Sequence, residues 1–284
     1  MNTARHGGRA AGLAATCALV LVAGFAGCAK QDAARAPGAV GAATDSAGQV
    51  RFERVLGAPG DTVVGYARYV LVAPPPDRVP GVSALAESLR TALAWAIGEG
   101  EAGTDGRPLP ADSLAARFLE GYRSFRADFP GARQEWTIER EIALETLPFG
   151  LSTIRMQDVR FTGGAHGAAN TFYRSYDPQS GAQLRLGDLA DAAGLDSLRV
   201  IGEAAFRVER QVPAGTSLQQ AGFFVWDDSS FALSENFGVT HAGLVFQYNA
   251  YDVAPYALGP TTITLPWDAV RPHLRADGPL KMAK

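Results

Sequence analysis

The stretch "QEWTIEREIALETLPFGLSTIRMQDVRFTGGAHGAANTFYRSYD", residues 134–177, decides the fold. Its first part alternates. Trp136, Ile138, Ile142 and Leu144 fall on one side of an extended chain, the pattern of a strand with one covered face. "LSTIRMQDVRFTGG" and "ANTFYRSYD" read as two further strands. "DPQSG", residues 177–181, reads as a hairpin turn, with Pro178 after Asp177 and Gly181 closing it. Consecutive strands joined by short turns predict an antiparallel meander.

Upstream, "VRFERVLG" and "TVVGYARYVLVA" are β-branched and aromatic and predict strands. Two helices follow. In "VSALAESLRTALAWAI" the residues Val82, Leu85, Leu89, Leu93, Ala96 and Ile97 share one face. In "ADSLAARFLEGYRSFRADF" the stripe is Leu114, Phe118, Tyr122, Phe125 and Phe129, with Asp112 or Ser113 as cap. Both stripes read as core. Downstream, a third helix is expected from about Leu195 to Arg210, capped by Asp196 or the residue before it. "FGVTHAGLVFQYNAYDV" and "APYALGPTTITLPW" predict strands, and "PWDAVRPHL" a short final helix. Helices and strands do not alternate at a constant period, so a doubly wound parallel sheet is not expected. The order predicts an α+β fold: antiparallel sheets with helices packed on one face, in two intimate halves. The halves would be residues 50–149 and 150–284, dividing near Pro148-Phe149-Gly150.

The N-terminus has the layout of a secretory signal. Arg5 and Arg9 precede a short apolar run, Leu13 to Phe25, and small residues follow. The run is shorter than the roughly 20 apolar residues of a spanning helix. "FAGC", residues 25–28, is similar to the lipobox of bacterial lipoproteins, with Phe25 where Leu is usual. That resemblance implies that Cys28 becomes the first mature residue and carries lipid, with residues 1–27 removed. The other reading is an ordinary signal peptide with a chance cysteine near its end. Ala29 after the cysteine points to the outer membrane if the source is Gram-negative. Residues 28–49 are Ala- and Gly-rich with little to bury, and predict a flexible tether.

The only other cysteine, Cys17, lies in the signal, so an acylated mature chain has neither a free thiol nor a disulfide. Loss of Arg5 and Arg9 leaves 24 Lys+Arg against 29 Asp+Glu, a net charge of −5. With no basic stripe, nucleic acid is not an expected partner. Three histidines remain and no thiolate, so a zinc site would lean on carboxylates. No metal and no cofactor is expected.

Two blocks carry a family resemblance. "FTGGAHGAANTFYRSYDPQSGAQLRLGDL" is similar to the first half of a domain found in bacterial envelope proteins. "FGVTHAGLVFQYNAYDVAPYALGPTTITLPWDAVRPHL" resembles its second half. The section from Val50 to about Phe149 resembles the companion domain that usually precedes it. The family includes the exported part of a lysozyme-sensing anti-sigma factor and the non-catalytic region of a peptidoglycan deacetylase. The deacetylase's "F-D-D-G" is not matched here, because Asp227-Asp228 are followed by Ser-Ser, and its "H-x-x-x-H" pair is missing. The resemblance therefore implies an exported binding or sensing half. Its partners would be peptidoglycan or a lysozyme-like envelope protein, with the membrane reached through the lipid.

The candidate ligand-binding residues are Gly163, Gly164, His166, Tyr251, Asp252 and Tyr256. Catalysis by His166 would require an orienting acid and a nucleophile or water. No Asp or Ser lies near it at a recognisable spacing, and G-x-S-x-G is absent. The structural alternative has Gly163-Gly164 supplying positive φ, with His166 bonding backbone or a Tyr such as Tyr256. Tyr251, Asp252 and Tyr256 could stack on a sugar and bond its hydroxyls, form a protein hot spot, or belong to a loop locked by Pro255. "FFVWDDSS", residues 223–230, is either a lip for a cationic protein or a loop plugged into the core by Phe224 and Trp226. The expected function is a lipid-anchored, non-catalytic envelope binding or sensing module. The alternative is a peptidoglycan-modifying enzyme that uses His166.

Overall fold

The computed structural model describes residues 41–44, 49–148, 150–224 and 231–280. The signal, Cys28, most of the expected tether and Trp226 through Ser230 lie outside the described residues. Among the described residues, no helix is long and apolar enough to cross a membrane.

The fold is α+β. Six strands form one sheet in simple sequence order: β1 (Gly41–Thr44), β2 (Val50–Gly57), β3 (Tyr66–Ala73), β4 (Trp136–Thr146), β5 (Ser152–Phe161) and β6 (Ala168–Tyr176). Every pair is antiparallel except β3–β4. The exception follows from what lies between them. Helices α1 (Ala84–Ile97) and α2 (Ala111–Asp128) carry the chain back across the sheet, and a crossover returns a strand parallel to the one it left. The strand β1 falls within the segment expected to be a tether and pairs with β2 from Gly41↔Glu53 to Thr44↔Val50.

Helices α1 and α2 cover one face of this sheet. Leu89, Leu93, Leu114 and Ala115 pack on Tyr69, Leu71, Ile138, Ile142 and Ile154. The stripes hold in their middles and fail at their ends. Ser83 caps α1, its Oγ accepting from Ala86 N–H at 3.2 Å, so Val82 lies outside the helix and is exposed. Phe129 ends α2 and is also exposed. Pro110 occupies the N-cap of α2, in place of the expected Asp112 or Ser113.

The second sheet is β7 (Phe237–Thr240), β8 (Gly243–Tyr248) and β9 (Thr261–Pro266), all antiparallel. Between the sheets run the short α3 (Leu186–Leu189) and the long α4 (Ala192–Glu209); α5 (Trp267–Val270) follows β9. Asp191 caps α4, its Oδ1 accepting from Gly194 N–H at 2.9 Å, one turn before the start expected from the sequence. Leu198 and Phe206 of α4 pack on Leu244, Phe246, Ile263 and Leu265. Phe223 joins this core, while Phe224 is largely exposed.

The expected division at Pro148–Gly150 falls in the β4–β5 turn. Strands on both sides of it belong to the first sheet, so one sheet spans both expected halves. The second core begins at Leu147 and Leu151 and gathers the later elements.

The sheets meet without a shared ladder. The outer edge of β6 is met by side-chain amides. Thr171 N–H donates to Asn249 Oδ1 at 2.8 Å, and Thr171 C=O accepts from Asn236 Nδ2 at 2.7 Å and Asn249 Nδ2 at 3.1 Å. Tyr173 N–H donates to Asn236 Oδ1 at 2.8 Å. The outer edge of β7 is met by hydroxyls. Val239 N–H donates to Ser175 Oγ at 2.9 Å, and Thr153 Oγ1 donates to Val239 C=O at 2.6 Å. An unpaired strand edge is both costly when buried and prone to pairing with another chain. Four side chains remove both problems. We predict that Asn249→Ala, which orphans Thr171 N–H, lowers unfolding free energy by about 1–3 kcal/mol. A chemical denaturation midpoint below wild type with an unchanged slope is the expected result.

Candidate functional site

The turn "FTGGAHG" joins β5 to β6. Gly163 and Gly164 both have positive φ, 94° and 92°, which only glycine adopts without cost. The turn brings His166 back over the 3₁₀ turn Tyr256–Leu258. The imidazole stacks on the Tyr256 ring, centroids 3.7 Å apart and planes 16° from parallel. His166 Nδ1 lies 3.0 Å from Gly167 C=O, and the Tyr256 hydroxyl donates to the same carbonyl at 2.8 Å. One backbone oxygen therefore ties ring to ring. Among the described residues no carboxylate is a polar partner of His166, and the ring is exposed.

Tyr251 extends this surface. Its ring centroid is 5.8 Å from that of Tyr256, and it is 59% exposed. Its φ is 72°, a left-handed conformation that costs a residue with a side chain on the order of 1–2 kcal/mol. Asp252 supports the turn, its Oδ2 accepting from Asn249 N–H at 2.7 Å. Asn249 thus holds the β6 edge with its side chain and the tyrosine loop with its backbone. Of the sequence-predicted residues, Gly163, Gly164, His166, Tyr251, Asp252 and Tyr256 all belong to this one region. Cys28 lies outside the described residues. His241 stands elsewhere, bonded to Glu145 by both its backbone N–H, at 2.7 Å, and its ring Nδ1. Among the described residues, no group of three or more His, Cys, Asp or Glu could hold a metal ion.

A second site, this one concave, was not read from the sequence. A cleft of about 480 Å³ opens between the C-terminal end of α1 and the helix-covered face of β4, β5 and β6. Its floor is a cross-strand row, Arg140↔Asp158↔Asn170. Arg140 is 3% exposed and bonds Glu99 at 3.1 Å and Asp158 at 3.0 Å. Arg160 bridges the same two carboxylates at 3.2 and 3.0 Å, closing a ring of four charges. Tyr69, whose phenol pKa burial pushes up, stays a neutral donor to Glu99 at 3.4 Å. Glu99 sits just past the end of α1 with φ 57°, again a left-handed residue with a side chain. Arg140 Nε and Asp158 Oδ1 are buried and have no hydrogen-bond partner among the described residues.

The signal for this cleft was in the alternation. Position 140 is an inward position of β4, between Ile138 and Ile142, and carries an arginine. Asp158 and Arg160 likewise continue the inward series Ile154, Met156 of β5. Charge on the covered face of a strand requires a partner. The partner Glu99, in a Gly-rich loop start, could not be paired with it by spacing. We predict that Arg140→Met costs about 3–5 kcal/mol, because it removes the buried partner of Asp158 and leaves Glu99 and Asp158 with only the partly exposed Arg160 to pair with. Adding Glu99→Gln and Asp158→Asn to the same chain should recover most of the loss in a denaturation series.

Residues 190–268 match the model of a family described as a protein of unknown function (DUF3298). This span contains α4, the second sheet, Tyr251 and Tyr256, but neither His166 nor the cleft. No curated protein matches the chain. Two solved structures resemble it in fold. A member of that family from Bacteroides fragilis NCTC 9343 is 21% identical, with a TM-score of 0.61 over 85% of this chain and 96% of its own. A second, from Pseudomonas aeruginosa PAO1, is 16% identical, with a TM-score of 0.54 over 84% of this chain and 95% of its own. What the chain shares with them is architecture across both sheets, and a C-terminal segment that matches a family without an assigned activity.

Proposed function

We propose that this protein is a non-catalytic binding module of the bacterial cell envelope, anchored by lipid on Cys28. It recognises peptidoglycan glycan through the surface formed by Tyr251, Tyr256 and His166. The observation that carries the reading is Tyr251: an aromatic ring, mostly exposed, kept in a strained backbone conformation beside a stacked pair. Backbone strain of this kind clusters at functional sites. An exposed aromatic face offers a sugar ring apolar contact, and neighbouring polar groups can meet its hydroxyls and amides. Binding is favoured over proton transfer because the polar contact of His166 is a backbone carbonyl rather than an acid. The signal-like N-terminus and the lipobox-like "FAGC" support an envelope address.

The test is retention on purified peptidoglycan sacculi, with lysozyme-coated resin as a second arm. Tyr251→Gly relieves the strain and removes the ring. Its expected outcome is at least about tenfold weaker retention on sacculi, equivalent to about 1.4 kcal/mol, with stability unchanged or raised. Equal retention of Tyr251→Gly and wild type would overturn the glycan reading. Retention on lysozyme alone would replace it with a protein partner. Incorporation of a radiolabelled fatty acid into wild type but not Cys28→Ala is expected, and labelling of both would remove the anchor.

A further inference from the structure

We infer that the cleft between α1 and strands β4–β6 is a second binding site, for the free carboxylate end of a short peptide with an apolar side chain. The inference does not rest on the glycan reading, because the cleft shares no residue with the aromatic surface.

The charge arrangement comes first. Within the ring, Arg140 and Arg160 are balanced by Glu99 and Asp158. Arg174, which also lines the cleft, forms no ion pair among the described residues, so the cleft as a whole carries one unbalanced positive charge in an acidic chain. Arg174 is exposed and the Arg160 side chain is 39% exposed, so both guanidinium groups are reachable. A guanidinium fork is the side chain best matched to a carboxylate.

The remaining lining defines the rest of the ligand. Asn170, beside Asp158 on β6, presents a carboxamide that can give and take one hydrogen bond each with a peptide group. Phe172, 40% exposed, together with Trp95 and Met156, makes an apolar wall. The volume, about 480 Å³, lies in the range of about 300–1,000 Å³ usual for small-molecule sites.

The cleft is also built at a cost to stability. Among the described residues it keeps two buried polar atoms unpaired, and it holds one side-chain-bearing residue, Glu99, in the left-handed region. A site optimised for stability alone would satisfy or replace these groups. The closed ring instead fixes Arg160, held by two carboxylates, at the cleft.

The test is calorimetric titration of the full chain with the tripeptide Ala-Ala-Phe and with its C-terminal amide. The expected result is saturable binding of the acid and at least tenfold weaker binding of the amide. Arg174→Ala, which also removes a hydrogen bond to the buried Tyr176, should weaken binding of the acid at least tenfold while the chain stays folded. Phe172→Ala and Asn170→Ala, neither a member of the ring, should each weaken it as well, and keep the test decisive if Arg174→Ala does not fold. Acid and amide binding alike, neither binding at about 10 mM, or all three variants binding as wild type would overturn the inference. Retained binding of the tripeptide by Tyr251→Gly would separate this site from the aromatic one.

Discussion

The outer edge of β6 is the constraint on which both sites depend. This strand contributes Asn170, Phe172 and Arg174 to the cleft on its helix-covered side. At its start, the turn before it delivers His166 to Tyr256. A terminal strand held from one side only would leave both placements loose. Asn236 and Asn249 hold it from the other side, by hydrogen bonds to Thr171 and Tyr173 that a neighbouring strand would otherwise make. The device joins two sheets without merging them, so each keeps its own core.

Asn249 has a further consequence. Its side chain grips β6 while its backbone N–H is fixed by Asp252, next to the strained Tyr251. The aromatic surface is therefore mounted on the same residue that closes the sheet edge. On the helix-covered face, the ring of Arg140, Glu99, Asp158 and Arg160 ties the end of α1 to the centre of the sheet. The far face of the sheet differs again. There Arg51, Glu53, Arg68 and Glu139 pair partly open to solvent, where ion pairs contribute less to stability.

Much of the fold was legible in the sequence because period-2 and helical patterns are local. The alternation in 134–146, the aromatic stripe of α2 and the Asp-Pro turn at 177–178 each became the element they predicted. The α+β class followed from their order. The parallel β3–β4 pair was not legible, because strand direction is set by where the crossover returns. Neither was β1, whose residues have little to bury and pair only because β2 offers an edge. For the sites, the sequence gathered Gly163, Gly164, His166, Tyr251, Asp252 and Tyr256, which the fold brings into one region. It passed over the cleft, since Arg140, Asp158 and Glu99 are far apart in the chain and acquire meaning only when paired.

Amide hydrogen exchange at Thr171 and Tyr173 tests the central constraint most directly. If the asparagine side chains close the edge of β6, both amides exchange as slowly as interior ladder amides of β5, and Asn249→Ala releases Thr171 first. If both exchange at the rate of an open strand edge in the intact protein, β6 is not fixed as described, and the placement of both sites fails with it.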